Sequence, residues 1–236
     1  MQLKGWQRTS LIDFPGHIAT VLFTSGCNFR CPMCHNADLV LHPEALPSIL
    51  VAQVMRHLEQ RAGMITGVVI TGGEPTLQPD LADFMSQLKH NNDGIAIKLD
   101  TNGYRPDVLA ALLDEGLIDY IAMDVKAPPE KYAQLAGCER NRFDVTRIRR
   151  SISLILESGR PYELRTTVVP DLLTASDIEA VARWIDGAET YILQQFRAQG
   201  ILDPALAETT PYTTAELEAM AERARRWIPT VKLRGA

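Results

Sequence analysis

Short apolar, β-branched runs recur along the chain at 18–26 (IATVLFTSG), 67–73 (GVVITGG), 96–103 (AIKLDTNG), 120–126 (YIAMDVK), 162–170 (YELRTTVVP) and 190–196 (TYILQQF). Their length and their Val, Ile and Thr content predict buried strands. Between them the apolar positions change to helical spacing, over 46–63, 80–90, 106–116, 147–159 and 174–187. Pro106 near a helix start, and Gly63, Gly116, Gly159 and Gly187 just past helix ends, supply the matching punctuation. This alternation predicts an α/β fold in which a parallel sheet is wrapped by helices. Six such units are too few to close an eight-stranded barrel, so an open or partial barrel is expected. A final helix over 213–227 and a short strand over 230–233 would complete it. With no internal repeat, low-complexity stretch or linker in view, a single domain over 1–236 is expected, with its core at about 16–200.

Composition narrows the functional classes. The 236 residues are 46% hydrophobic, enough to bury a substantial core. With 24 basic and 29 acidic residues the net charge is −5, which argues against an extended nucleic-acid surface. The start, MQLKGWQRTSLIDFPG, lacks the pattern of a signal peptide, and no apolar run approaches the roughly 18 residues of a membrane span. A cytoplasmic protein with no membrane partner is the expectation. The four cysteines, three clustered and Cys138 apart, do not form a secreted disulfide pattern, so the cluster reads as a metal or redox site.

Ligands of parallel α/β sheets bind at the carboxyl ends of the strands. Here the unusual residues crowd those ends: the cysteines after the first predicted strand, GGEP after the second, DTNG at the third and MDVK at the fourth. Cys27, Cys31 and Cys34 lie in a loop with Gly26, Asn28 and Pro32 that can fold around one centre. A structural zinc site takes four ligands, and His35 is the nearest candidate for the fourth. As His35 directly follows Cys34, the two would reach one ion with poor geometry. A four-iron cluster on three thiolates fits better and leaves one iron open to a reactant.

The Cys-x3-Cys-x2-Cys spacing after a strand resembles the radical S-adenosylmethionine (SAM) family, whose fold is a partial (β/α)6-type parallel barrel. The resemblance implies a [4Fe-4S] cluster on Cys27, Cys31 and Cys34, with the methionine part of SAM chelating the open iron. One electron from the reduced cluster then splits SAM to methionine and a 5′-deoxyadenosyl radical, which requires a potential near the low end of the range open to iron–sulfur centres. Met33 stands where the family usually has an aromatic residue near adenine, and His35 adjoins the same contacts. TGGEP (71–75) resembles the element whose backbone holds the amino group of SAM, which implicates Gly72, Gly73 and Glu74. Alone, those glycines are a strand exit that admits close backbone approach, with amides and carbonyls open to a ligand.

DTNG alone reads as an Asx-type turn, and MDVK as a strand ending in a surface lysine. Together they resemble the glycyl-radical-enzyme activases within the family. On that resemblance Asp100, Thr101 and Asp124 would hold a monovalent cation (Na+ or K+), and Asn102 and Lys126 would lie against SAM. Oxygen ligands suit a hard cation, and a lysine offsets local negative charge.

Segments from 10–16 to 231–235 resemble the longer form of the activating proteins of anaerobic ribonucleoside-triphosphate reductase. The implied partners are that reductase, whose glycine would lose a Cα hydrogen atom, and a low-potential electron donor such as flavodoxin or ferredoxin. DFPG (13–16) departs from the Asp-Gly-Pro-Gly of pyruvate formate-lyase activases. It reads as a turn, or else Asp13 borders the opening through which the glycine loop enters. Arg165, Gln194, Gln195 and Arg197, on or near later strand ends, read either as contacts for SAM or the incoming peptide or as barrel-lining hydrogen-bond partners. Cys138 reads as incidental, and His17, His42, His57 and His90 as loop or helix-surface residues. The alternatives are a radical SAM enzyme with a different target and a non-catalytic zinc or iron–sulfur scaffold.

Overall fold

The computed structural model describes residues 1–235. Its strands are β1 (Leu3–Ser10), β2 (Ala19–Thr24), β3 (Gly67–Gly72), β4 (Ala96–Thr101), β5 (Tyr120–Asp124), β6 (Tyr162–Val168), β7 (Thr190–Gln195) and β8 (Thr230–Arg234), and strand order in the sheet follows the chain. The helices are α1 (Ala37–Leu41), α2 (Val51–Gln60), α3 (Leu81–Asn91), α4 (Pro106–Asp114), α5 (Tyr132–Leu135), α6 (Val145–Glu157), α7 (Ala175–Trp184) and α8 (Thr214–Ala224). Strands β2 to β8 fall where the apolar runs place them. Gly63, Gly116, Gly159 and Gly187 all take positive φ, the left-handed geometry that ends a helix. Helix α2 starts at Val51 rather than at 46 because Ile49 is drawn into a bridge with Leu3, its N–H donating to the Leu3 carbonyl at 2.9 Å. Among the described residues no helix is long and apolar enough to cross a membrane.

By contacts the chain forms two compact units. One comprises Met1–Asn28, Asp38–Ala122 and Ser158–Pro161; the other comprises Phe29–Ala37, Met123–Glu157 and Tyr162 onward.

In the first unit β2 pairs in parallel with β3, from Ala19↔Gly67 to Thr24↔Gly72, and β3 with β4, from Gly67↔Ala96 to Ile70↔Leu99. Val68, Val69 and Ile70 are buried on both faces of the sheet, hence their unbroken apolar run. Strand β1 was not expected. Its sequence, LKGWQRTS, is mostly polar, yet it pairs antiparallel with β2, Ser10 lying opposite Ala19. That pairing sets the DFPG turn at the amino end of β2, with the cysteine loop following the carboxyl end of the same strand. Asp13 therefore does not border the end that carries the cysteines. The turn is built inward instead: Ser10 Oγ donates to Asp13 Oδ2 at 2.5 Å, and Phe14 is buried with its ring centroid 4.3 Å from that of His17. A Cβ on Gly67 would lie 2.7 Å from the Phe14 ring, so the small residue opening β3 makes room for this anchor.

In the second unit β6 pairs in parallel with β7, from Leu164↔Tyr191 to Val168↔Gln195, and β7 with β8, from Thr190↔Thr230 to Gln194↔Arg234. Strand alternation puts Leu164, Thr166 and Val168 on one face of β6 and Glu163, Arg165 and Thr167 on the other. Helices α7 and α8 each start with a capping box, Thr174 with Asp177 and Thr213 with Glu216.

Candidate functional site

At the carboxyl ends of β2 and β3 two stretches of backbone press together. Gly72 has φ +115°, and a Cβ there would lie 2.4 Å from the Thr24 nitrogen. A Cβ on Gly73 would lie 1.8 Å from the Gly26 carbonyl oxygen. The Gly73 N–H donates to Thr24 O at 3.0 Å and the Glu74 N–H to Gly26 O at 2.8 Å. Both amides are thus engaged by the chain itself, contrary to the expectation that they stand open to a ligand. The glycines are required because the cysteine-bearing loop rests directly on them.

Glu74, 1% exposed, joins this loop to the end of β4. Its Oε1 accepts from Thr76 N (3.1 Å), Thr76 Oγ1 (2.5 Å) and Thr101 Oγ1 (2.7 Å), and its Oε2 from Asn102 N (2.7 Å). Burial pushes its carboxyl pKa up, against the opposing pull of these four hydrogen bonds. The Asn102 side chain reaches on to the cysteine loop, its Nδ2 lying 2.8 Å from Asn28 Oδ1 and 3.8 Å from Cys27 Sγ. The same side chain closes the expected Asx turn, its Oδ1 accepting from Tyr104 N at 3.0 Å. Asp100 accepts from the buried Lys98 at 2.6 Å, a partner that the sequence pattern did not single out.

In the second unit Cys31 and Met33 are buried, Cys34 is half-buried and His35 is exposed. Cys34 N donates to Cys31 O at 3.0 Å, a turn that keeps the two thiols on one bend. Burial pushes the Cys31 thiol up to about 11, although Lys126 pulls in the opposite direction. Lys126 Nζ lies 2.9 Å from Asp124 Oδ2, and Arg165 Nε lies 2.8 Å from Asp124 Oδ1. Burial alone would raise the Asp124 carboxyl, but Arg165 and Lys126 override it and hold the group well below the usual carboxylate range. Burial would likewise lower Lys126, yet Asp124 and Cys31 hold its ammonium well above the usual lysine range. The chain of charge continues through Glu163, 3.7 Å from Arg165 and held bidentately by Arg234 at 2.9 and 2.6 Å. Glu163 and Arg234 were not singled out from the sequence. A charged residue two positions before Arg165, on the same face of a strand, was the available signal.

The remaining candidates fall elsewhere. Gln195 donates to Tyr212 O at 2.7 Å, tying β7 to the segment before α8. His57 lies against the Arg8 carbonyl (3.2 Å) and His17 against Thr66 (3.1 Å), as surface roles predict. Cys138 Sγ lies 3.6 Å from the Ala136 carbonyl oxygen and is close enough to Cys31 to contribute to its raised pKa.

The donor set decides which group this loop suits. Its sequence carries three cysteines, soft donors once ionised, and the adjacent His35 is exposed, residue types that suit a thiolate-ligated iron centre better than a four-ligand zinc site. Deprotonating the buried Cys31 requires nearby positive charge, which Lys126 supplies in part and iron would complete.

Fold and loop thus define an α/β protein with a cysteine-bearing loop after the carboxyl end of β2. The profile of the radical SAM superfamily matches residues 21–185, and the chain belongs to that superfamily. It is 31% identical, over 95% of its length and 92% of the relative's, to a Methanocaldococcus jannaschii protein provisionally named a glycyl-radical enzyme activating enzyme. It is 26% identical, over 92% of its length and 90% of the relative's, to the pyruvate formate-lyase-activating enzyme of Clostridium pasteurianum. Among solved structures it resembles Streptococcus suis SuiB bound to S-adenosylmethionine, with a TM-score of 0.65 and 15% identity over 89% of this chain and 48% of SuiB. The chain spans about half the length of SuiB, and at that identity the likeness concerns the fold. The fold class is the partial parallel barrel of the radical SAM kind, and the protein is a radical SAM enzyme of the activating-enzyme group that uses a [4Fe-4S] cluster and SAM.

Proposed function

We propose that this protein, working as a single radical SAM domain in the cytoplasm, abstracts a Cα hydrogen atom from a glycine of anaerobic ribonucleoside-triphosphate reductase and so generates its glycyl radical. The observation that carries the reading is the array at successive strand ends: the cysteine loop, the Gly72–Gly73–Glu74 exit, the Asp100–Asn102 turn and the Asp124–Lys126 pair. Its similarity to activating enzymes over nearly the whole chain supports the same reading.

Cys27, Cys31 and Cys34 would hold the cluster, which when reduced supplies the electron that cleaves SAM. An ammonium is a donor, so the backbone carbonyls of the Gly72–Gly73 exit, rather than its engaged amides, would receive the amino group of SAM. Lys126 would face its carboxylate, and Met33 would pack against adenine through its thioether. Glu74, fully engaged by four internal donors, would position the exit rather than touch SAM. Asp100, Thr101 and Asp124 would supply oxygens, the ligand type that suits a hard monovalent cation.

The test is anaerobic. The protein is reconstituted with iron and sulfide, reduced and given SAM, and 5′-deoxyadenosine is quantified against a Cys31→Ala control. The reaction is then repeated with purified anaerobic reductase, and with pyruvate formate-lyase as the competing target, while the glycyl radical is read by electron paramagnetic resonance. A radical on the reductase alone supports the assignment. A radical on the lyase alone reassigns the target, and no 5′-deoxyadenosine in any mixture refutes the reaction.

A further inference from the structure

Between strand β1 and helix α2 lies a cavity of about 430 Å³, lined by Trp6 and Arg8 of the strand and by Gln53, Arg56, His57 and Gln60 of the helix. None of the residues assigned to the cluster or to SAM borders it. Ser10 of β1 stands opposite Ala19, so Arg8 lies toward the amino end of β2, and the cysteine loop follows the other end. The volume is in the range of small-ligand sites and exceeds what an inorganic anion fills.

Both walls are built and held. Gln53, Arg56, His57 and Gln60 recur at i, i+3, i+4 and i+7, the spacing of one helix face, whereas Val54 and Leu58 carry the buried face of α2. A stripe that is commonly apolar is polar throughout. On the strand side the Trp6 indole N–H donates to the buried Thr20 Oγ1 at 2.7 Å, which fixes the ring. The Arg8 guanidinium lies over that ring, 4.9 Å from its centroid. The His57 ring meets Trp6 edge-on at 5.1 Å, and its Nε2 donates to the Arg8 carbonyl at 3.2 Å. A guanidinium stacked on an aromatic face keeps its N–H fork available to an anion.

Charge sets this place apart from the other basic parts of a chain whose net charge is −5. Near the end of the chain Arg225 is paired with Glu218 and Glu222, and Arg234 with Glu163. Before and within α6, Arg142 is paired with Glu139 and Arg147 with Asp144. Among the described residues Arg8 and Arg56 form no ion pair, and no carboxylate lines their cavity. A neighbouring cavity of about 490 Å³ includes Glu44 in its lining, and its lysine, Lys4, is engaged by Leu46 O and Ser48 Oγ. Only the first of these two cavities offers uncompensated cations beside an aromatic ring.

We propose that the cavity between β1 and α2 binds a ring-bearing organic phosphate, its phosphate held by Arg8 and Arg56 and its ring lying against Trp6 and the Arg8 plane. Guanidinium forks match phosphate oxygens in bidentate pairs. The amides of Gln53 and Gln60 add donors and acceptors for the rest of the molecule. This site is separate from the one that takes SAM, and the inference does not rest on the radical reaction.

The test uses the full chain reconstituted with iron and sulfide and kept oxidised, so that SAM stays intact. ATP and phenyl phosphate are the probes, titrated by calorimetry with and without saturating SAM, and tripolyphosphate serves as the ringless comparison. The variants are Arg8→Gln, Arg56→Gln, Trp6→Leu, Trp6→Phe and the control Arg226→Gln, each first melted to confirm that it folds. At least one ring-bearing probe is expected to bind wild type at one site, with an affinity that SAM leaves unchanged. Binding of ATP points to a nucleotide, and binding of phenyl phosphate alone to a smaller ring phosphate. Each arginine variant should weaken that probe about tenfold or more. Trp6→Leu should weaken it too, while Trp6→Phe, which retains a ring, and Arg226→Gln should stay near wild type. Failure of both probes to bind would overturn the proposal. So would displacement by SAM, which would put the probe in the cofactor site, or an equal loss in Arg226→Gln, which would mark general attraction of polyanions. Tripolyphosphate bound by wild type as tightly as ATP would overturn it as well, because the ring would then contribute nothing.

Discussion

Gly73 and Gly26 meet so closely that a methyl group on the first would lie 1.8 Å from the carbonyl oxygen of the second. Backbone, not a movable side chain, stands in the way, so the strand exit and the cysteine loop cannot both keep their places if Gly73 gains a side chain. Gly73→Ala is expected to cost about 3 kcal/mol, the upper part of the usual overpacking range. For a chain of this size that lowers Tm by roughly 6–12 °C. Calorimetry of the apoprotein checks it, and a melt within a degree or so of wild type would show that the contact relaxes.

Glu74 presents a different problem for its closest substitute. Oε1 accepts from the Thr76 N–H and Oε2 from the Asn102 N–H, so both carboxylate oxygens face backbone donors. A glutamine in either orientation points its NH2 at one of them. Glu74→Gln is expected to destabilise by roughly 1–3 kcal/mol. The pH dependence follows from the raised pKa: the folded state holds the Glu74 proton more tightly than the unfolded state, whose pKa is near 4.5. That contribution is fully present below pH 4.5 and is lost as pH rises through the folded pKa. Urea titrations from acid to neutral pH should show this downward component in wild type and its absence in Glu74→Gln. Parallel curves would sink the argument.

Asp124 has the opposite sign. Arg165 and Lys126 hold its carboxyl below the unfolded value, so its contribution is present above the unfolded pKa near 3.8 and is lost as pH falls toward the folded one. Asp124→Asn leaves two cations facing a neutral amide. With the carboxylate 31% exposed, the expected loss is about 2 kcal/mol, below the range for a fully buried pair. SAM affinity, measured by equilibrium dialysis with the cluster intact, should also fall. Unchanged affinity would remove Asp124 from the cofactor site while leaving its structural role standing.

How much could be read in advance depended on the kind of signal. Strand runs such as GVVITGG are buried on both faces, so they survive translation into three dimensions. Strand β1 was missed because an edge strand buries few side chains and its residues look like loop. The glycines of TGGEP were seen as permissive, but sequence alone cannot say whether permitted closeness serves a ligand or another stretch of chain; here the Gly73 and Glu74 amides are engaged by Thr24 and Gly26. Glu163 and Arg234 lie 71 residues apart and meet only because β8 pairs in parallel with β7 and β7 with β6. For DFPG the sequence left a turn and a bordering role for Asp13 both open, and the hairpin that decides for the turn is a tertiary feature.

Cys138 tests the reading of the ligands most sharply, because it lies near enough to affect Cys31 yet outside the loop that bears the other three thiols. Its sulfur lies 3.6 Å from the Ala136 carbonyl oxygen, in the segment that Gly137 fastens under Arg30. Replacing Cys138 with Ala should therefore leave iron content and the cluster absorbance at wild-type levels, at a stability cost of about 1 kcal/mol or less for a partly exposed side chain. Replacing Cys31 with Ala removes a ligand and should abolish SAM cleavage. The two outcomes are read together, by iron analysis and 5′-deoxyadenosine yield on the same anaerobic preparations. Loss of iron in Cys138→Ala, or turnover in Cys31→Ala, would mean that the cluster is held by a different set of three cysteines.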